Sequence, residues 1–153
     1  MTEGGTQYKR GRVARRAVGR VENALASTLE PGEELQSAFF AHRYVPGLQL
    51  LFLFGGMGDL IYVIVARPYY AALTNRRFFL LKSSRWGLVS RPREAVLTVD
   101  AGSVRIDQSR RFLVRAITTV RAMGQEETRL AVHRQYWREL DHMRSLLDNR
   151  AAG

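Results

Sequence analysis

Tyr69-Tyr70-Ala71-Ala72-Leu73-Thr74-Asn75-Arg76-Arg77-Phe78-Phe79-Leu80-Leu81-Lys82-Ser83 is the stretch on which the fold turns. Aromatic and aliphatic side chains crowd both of its halves, and Asn75-Arg76 separates them with residues suited to a tight turn. The reading is a β-hairpin, with strands at 69–74 and 77–83. A single clear hairpin of this kind biases everything around it toward sheet.

Working outward, the same pattern recurs on both sides. Residues 37–45 (Ser-Ala-Phe-Phe-Ala-His-Arg-Tyr-Val) form a first strand. Beyond a loop with Trp86, Gly87 and Pro92, residues 94–100 and 104–108 are expected to make a second hairpin around Ala101-Gly102. Residues 112–121 read as one longer strand, with Phe112, Val114, Ala116, Thr118 and Val120 on one face. Met123-Gly124-Gln125-Glu126 turns the chain, and 128–132 closes the run. The periodicity then changes. Tyr136, Trp137, Leu140, Met143 and Leu147 give the stripe of a helix over 134–148, with charges of alternating sign on its outer side.

Upstream, residues 1–7 read as a loose tail and 8–30 as a basic amphipathic helix. Val13, Ala17, Val21, Ala24, Leu25 and Leu29 recur at threes and fours, while Lys9, Arg12, Arg15, Arg16 and Arg20 fall on the other half of the wheel. Only Arg10 intrudes on the apolar side. Pro31-Gly32 ends the helix.

Seven strands and one closing helix imply an α+β domain, a small barrel whose open end is plugged by a helix led by Trp137. This order resembles the pleckstrin-homology (PH) fold, a bent seven-stranded barrel with a capping C-terminal helix. More narrowly it resembles the PH-like proteins of actinobacteria. The resemblance is carried by Leu29-Glu30-Pro31-Gly32-Glu33, by Ala72-Leu73-Thr74-Asn75-Arg76-Arg77-Phe78-Phe79-Leu80-Leu81, and by the helix around Tyr136-Trp137. It implies a PH-like unit over 33–150, with 46–66 as its first inter-strand loop and a binding rather than catalytic role. In eukaryotic relatives that loop grips lipid phosphates with basic residues; here it is apolar, so phosphoinositide binding is not implied.

Composition agrees with one domain. The chain has 153 residues, 46% of them apolar, which suffices for a real core. It has no cysteine, which removes disulfides, thiolate metal sites and cysteine nucleophiles, and fits a reducing compartment. The first residues, acidic and glycine-containing and then basic, do not read as a secretory signal, so a cytoplasmic protein is expected, peripheral at the inner face of the plasma membrane. The net charge of +10 attracts polyanions, either nucleic acid or an anionic membrane surface.

The oddest segment is 46–66, Pro-Gly-Leu-Gln-Leu-Leu-Phe-Leu-Phe-Gly-Gly-Met-Gly-Asp-Leu-Ile-Tyr-Val-Ile-Val-Ala. It is long enough to cross a bilayer core of ~30 Å as a helix. A simple span is disfavoured, because Asp59 would cost about 2.5–3.5 kcal/mol near the bilayer centre and Gly55-Gly56-Met57-Gly58 breaks the helix. Arginines at both ends (Arg43; Arg67, Arg76 and Arg77) also select no orientation. Three readings stay open: a hairpin lying in the membrane interface, buried strands or a core helix at 48–54 and 60–65, and a homodimer or protein-partner interface. On the first reading, Leu51, Phe52, Phe54, Leu60 and Ile61 enter lipid while Arg12, Arg15, Arg16 and Arg20 meet headgroups. Arg85, Arg91, Arg93, Arg110 and Arg111 would form a basic rim if their loops share one end of the barrel.

No P-loop, dinucleotide fingerprint or nucleophile elbow is present. His42, His133 and His142 lack ligand spacing, and no paired carboxylates stand out, so no enzyme, metal or cofactor is expected. The alternative to a membrane partner is nucleic acid, which a sheet would read with exposed aromatics such as Tyr69, Tyr70, Phe78 and Phe79.

Overall fold

Eight antiparallel strands make one sheet: β1 (Leu35–Arg43), β2 (Pro68–Thr74), β3 (Arg77–Ser83), β4 (Pro92–Asp100), β5 (Val104–Ile106), β6 (Arg110–Phe112), β7 (Arg115–Ala122) and β8 (Thr128–His133). The structure, a computed structural model, describes residues 8–84, 90–107, 109–112 and 114–153, and of these the side chains of Gln49, Leu51, Phe52 and Asp59 are not described. The tail at 1–7, Arg85, Trp86, Gly87 and Gln108 lie outside the described residues. Strand order is β4-β3-β2-β1-β8-β7-β5, with β6 also paired to β7. The first strand of the chain therefore lies mid-sheet, beside the last.

The hairpin at 69–83 forms as read, with Leu73 opposite Phe78 and Tyr69 opposite Lys82. Two other expectations are corrected. Residues 94–100 and 104–108 do not pair with each other: β4 pairs with β3 and β5 with β7, and the 3-10 turn Ala101–Ser103 carries the chain from one edge of the sheet to the other. The sheet thus bends into an open barrel with β4 and β5 at its edges. The strand at 112–121 is two strands, β6 and β7, paired as a hairpin with Phe112 opposite Arg115. Phe112 is exposed, not aligned with buried Ala116. Register shifts between Leu80 and Ser83 place bulges in β4, a device that discourages edge-to-edge pairing.

The core fills the concave side: Phe39, Leu73, Phe78, Leu81, Leu130 and Val132 are fully buried, and Leu140, Met143 and Leu147 of α3 (Trp137–Ala152) join them. The Trp137 indole N–H donates to the Val132 carbonyl at 3.0 Å, which fixes the start of this capping helix against β8. Helix α1 (Arg12–Leu25) buries Ala14, Ala17, Val21 and Leu25 on the same cluster, leaving Val13 and Ala24 exposed. Its apolar stripe is thus narrower than expected and rotated, and the barrel consumes it. Arg10 does not spoil the helix; it precedes it and pairs with Glu139 at 3.1 Å. Glu139 has no exposed side-chain surface and also accepts from the Tyr8 hydroxyl at 2.7 Å and Ser37 Oγ at 2.8 Å.

The two motifs that carried the resemblance meet in space. Glu33, buried, accepts from Thr74 Oγ1 at 2.6 Å and from the Arg77 guanidinium at 2.5 and 3.0 Å. Arg76 reaches Glu30 at 3.2 Å, and Asn75 exchanges hydrogen bonds with Gly32 O and Glu34 N at 2.9 and 3.0 Å. Gly32 makes the turn possible, with φ +76°, a conformation side-chain-bearing residues rarely adopt. The Arg77 hydrogen bonds and the neighbouring donors, opposed by burial, hold the Glu33 carboxyl down at about 2.

Candidate functional site: an apolar helical hairpin on the sheet face

Segment 46–66 is neither core strand nor core helix. It is a 3-10 helix, Leu48–Phe54, followed by α2 (Gly56–Val65), with the break at Gly55 (φ +65°). A continuous helix is interrupted where the glycines predicted it. Among the described residues of α2 and its C-cap a narrow stripe faces protein: Gly58, Tyr62 and Ala66 are buried at i, i+4 and i+8. Tyr62 and Ala66 pack on Ala131 of β8, with Leu48 against them, in a small cluster separate from the main core.

Ala131 alternates with Leu130 and Val132, which point into the barrel, so α2 lies on the outer face of the sheet. Tyr62 is the pin. Its hydroxyl donates to the Arg43 carbonyl at 3.2 Å, and its ring meets His42 edge-on at 6.1 Å and the buried Arg115 guanidinium at 5.1 Å. Burial pushes the Tyr62 hydroxyl up to about 12, so it stays a donor at any physiological pH.

Nine other apolar side chains described in the segment are exposed. Leu50, Leu53, Phe54, Met57, Leu60, Ile61, Val63, Ile64 and Val65 are 40–75% exposed and form one continuous surface along the hairpin. Apolar patches of this continuity on a folded domain mark an interaction site. Of the five apolar residues read as lipid contacts, Phe54, Leu60 and Ile61 lie on this surface; the side chains of Leu51 and Phe52 are not described. Both ends of the segment return to one place, because Arg43 N–H donates to Arg67 O at 2.8 Å.

The arginines distribute unevenly. Arg12, Arg15 and Arg16 are exposed on α1, whereas Arg20 is half-buried and donates to Ser90 O at 3.2 Å and Tyr70 Oη at 3.5 Å. The expected rim is not one patch. Arg91 and Arg93 lie at the β4 edge and Arg110 and Arg111 at the opposite, β6 edge. Arg111 turns toward α3, pairing with Asp141 at 3.0 Å and covering the Trp137 ring at 4.8 Å. Arg85 lies outside the described residues. Arg129, which the sequence did not single out, stands beside the hairpin: Tyr44 N–H donates to its carbonyl at 2.9 Å, and it lines a shallow groove with Arg43, Tyr44, Pro46, Glu126 and Glu127, neither glutamate within ion-pair distance of it.

Tyr69, Tyr70, Phe78 and Phe79 are all buried. Among the described residues no three His, Asp or Glu side chains are placed to hold a metal, and no helix is long and apolar enough to cross a membrane.

No protein-family model and no curated protein matches the chain. Among solved structures it is similar to the crystal structure of a pleckstrin homology domain from Shewanella amazonensis SB2B, at 16% identity and a TM-score of 0.47, covering 89% of this chain and 99% of that one. By its own strand order and its capping C-terminal helix, the fold is PH-like.

Proposed function

We propose that this is a non-catalytic binding module that docks on the inner face of the plasma membrane, with the 48–65 hairpin as its insertion element. One observation carries the reading: nine large apolar side chains lie exposed along a hairpin that, among its described residues, turns Gly58, Tyr62, Ala66 and part of Leu48 to the protein. An amphipathic helix normally turns its apolar face inward; here the apolar surface is turned out. Helix α2, at ten residues, is about 15 Å long, half the thickness of a bilayer core of ~30 Å, and the two ends of the whole segment are joined by the Arg43–Arg67 backbone hydrogen bond. That geometry suits an element that enters one leaflet and returns, not a span. The exposed arginines of α1 add long-range attraction to anionic lipid, but its apolar stripe, spent on the barrel, does not insert.

The test is co-sedimentation of the purified chain with neutral and anionic vesicles at low and high salt. Binding that survives high salt is expected, because apolar insertion is not screened. No binding to either vesicle, together with a dimer by light scattering in the absence of detergent, would assign the apolar surface to a second copy and overturn the reading.

A further inference from the structure

We infer that the membrane-docking surface extends beyond the hairpin onto the outer face of β6–β7–β8, with Phe112 as a second apolar contact and Arg110 and Arg129 as the groups that select anionic phospholipid. This rests on the membrane reading above and adds to it an orientation and a lipid class.

The argument is one of register. Ala131 lies under Tyr62 and Ala66, so its strand position marks the outer face. Ile117 is opposite Ala131, and Arg110 is opposite Ile117, which places Arg110 on that face. Phe112 is opposite Arg115, whose guanidinium lies against the Tyr62 ring, so Phe112 also flanks α2 and is 41% exposed there. Arg129, two residues before Ala131, is on the same face and exposed. The alternation explains an asymmetry between neighbours: Arg111 points the other way and is spent on Asp141 and Trp137, while Arg110 has no carboxylate partner among the described residues, nor has Arg129. Elsewhere on this face, Arg121 is neutralised by Asp107 and Glu127. Arg110 and Arg129 thus flank the row of Ala131 on which the hairpin packs, whereas Arg105, also without a carboxylate partner among the described residues, sits opposite Arg121, four residues along β7 from Ile117. Guanidinium beside exposed aliphatic and aromatic surface is what a phosphate layer over acyl chains demands. The chain therefore lies side-on, sheet face to the bilayer, and Arg91 and Arg93 at the β4 edge stay clear of it.

The experiment compares wild type, R110A/R129A, R91A/R93A and Phe112→Ser on vesicles of phosphatidylcholine alone and of equal parts phosphatidylcholine and phosphatidylglycerol at low salt. Each arginine at an anionic surface contributes a factor of about five, so R110A/R129A should lose about twenty-five-fold on the anionic vesicles and nothing on the neutral ones. R91A/R93A removes the same net charge and should lose far less. Phe112→Ser should weaken both by about tenfold. Equal losses in the two double variants would make the effect one of bulk charge and overturn the inference, as would an undiminished anionic preference in R110A/R129A. Absence of wild-type binding to either vesicle would instead sink the membrane reading, and this inference with it.

Discussion

Two regions of this molecule solve opposite problems. At the turn between β2 and β3, polar side chains are matched to one another: Glu33, buried, with Arg77 and Thr74, and at the surface Asn75 with Gly32 and Glu34 and Arg76 with Glu30. At the hairpin between β1 and β2, apolar side chains are exposed, and among the described residues Tyr62, Ala66 and Leu48 hold the segment to the sheet. The first region gathers chain segments some forty residues apart (|i−j| = 41 for Glu33 and Thr74) and costs stability when disturbed. The second contributes almost nothing to the main core, so its composition answers to something outside the chain. Apolar groups turned outward invert the usual distribution in the second region, and an inversion of that kind is the mark of an interaction surface.

The largest expected effect breaks the second region alone. Replacing Leu53, Leu60 and Ile64 together by Asp removes about 2 kcal/mol of insertion per side chain, roughly 6 kcal/mol in all, so vesicle partition should vanish while the unfolding midpoint stays put. A fall in thermal stability by several degrees would mean the side chains are covered in the folded protein. Next in size, Glu33→Gln breaks the first region. Removing the carboxylate from its buried pair should destabilise the fold by about 3 kcal/mol, at the low end for such pairs because Arg77 keeps a quarter of its side chain in water. Chemical denaturation should show this with vesicle partition of the folded protein unchanged. The same pair sets an acid limit. A carboxyl held at about 2 when folded, against 4.5 ordinarily, contributes stability that is complete above 4.5 and is lost as pH falls from there through about 2. Wild type should lose stability across that window more steeply than Glu33→Gln, and parallel curves would remove Glu33 from the account.

How much of this the sequence showed depends on the range of the interaction. The hairpin at 69–83 was legible to within a residue because a two-residue turn and its strands are local. The capping helix was legible for the same reason, its stripe Tyr136, Leu140, Met143 and Leu147 being buried as spaced. The β6–β7 turn was not, because Phe-Leu-Val-Arg-Ala-Ile-Thr-Thr-Val carries no Gly, Pro or Asn to announce it. Nor was the failure of β4 and β5 to pair: sequence adjacency argues for a hairpin, and only the bend of the whole sheet decides otherwise. For the site, the glycine break and the apolar run were on the page, but their side of the sheet was not. That is set by a single alanine, Ala131, whose alternation with Leu130 and Val132 leaves a small flat spot for Tyr62. Arg129 was missed for the same reason, since nothing in a lone strand arginine says which face it takes.

The smallest expected effect tests how firmly the second region is attached to the first. Tyr62→Phe keeps the ring against His42 and Arg115 and removes the hydroxyl's hydrogen bonds to the backbone at Arg43 O and Val45, a loss of about 1 kcal/mol. Because the Tyr62 cluster is separate from the main core, that loss should fall on local opening of 48–66 and not on global unfolding. Amide hydrogens of α2 should exchange about fivefold faster, with those of β2 and β3 unchanged. Vesicle partition should move little, since the exposed side chains are untouched and their enclosure by lipid does not need the hydroxyl. If the barrel amides accelerate equally, the hairpin and barrel open as one unit, and the independence on which the comparison depends is lost.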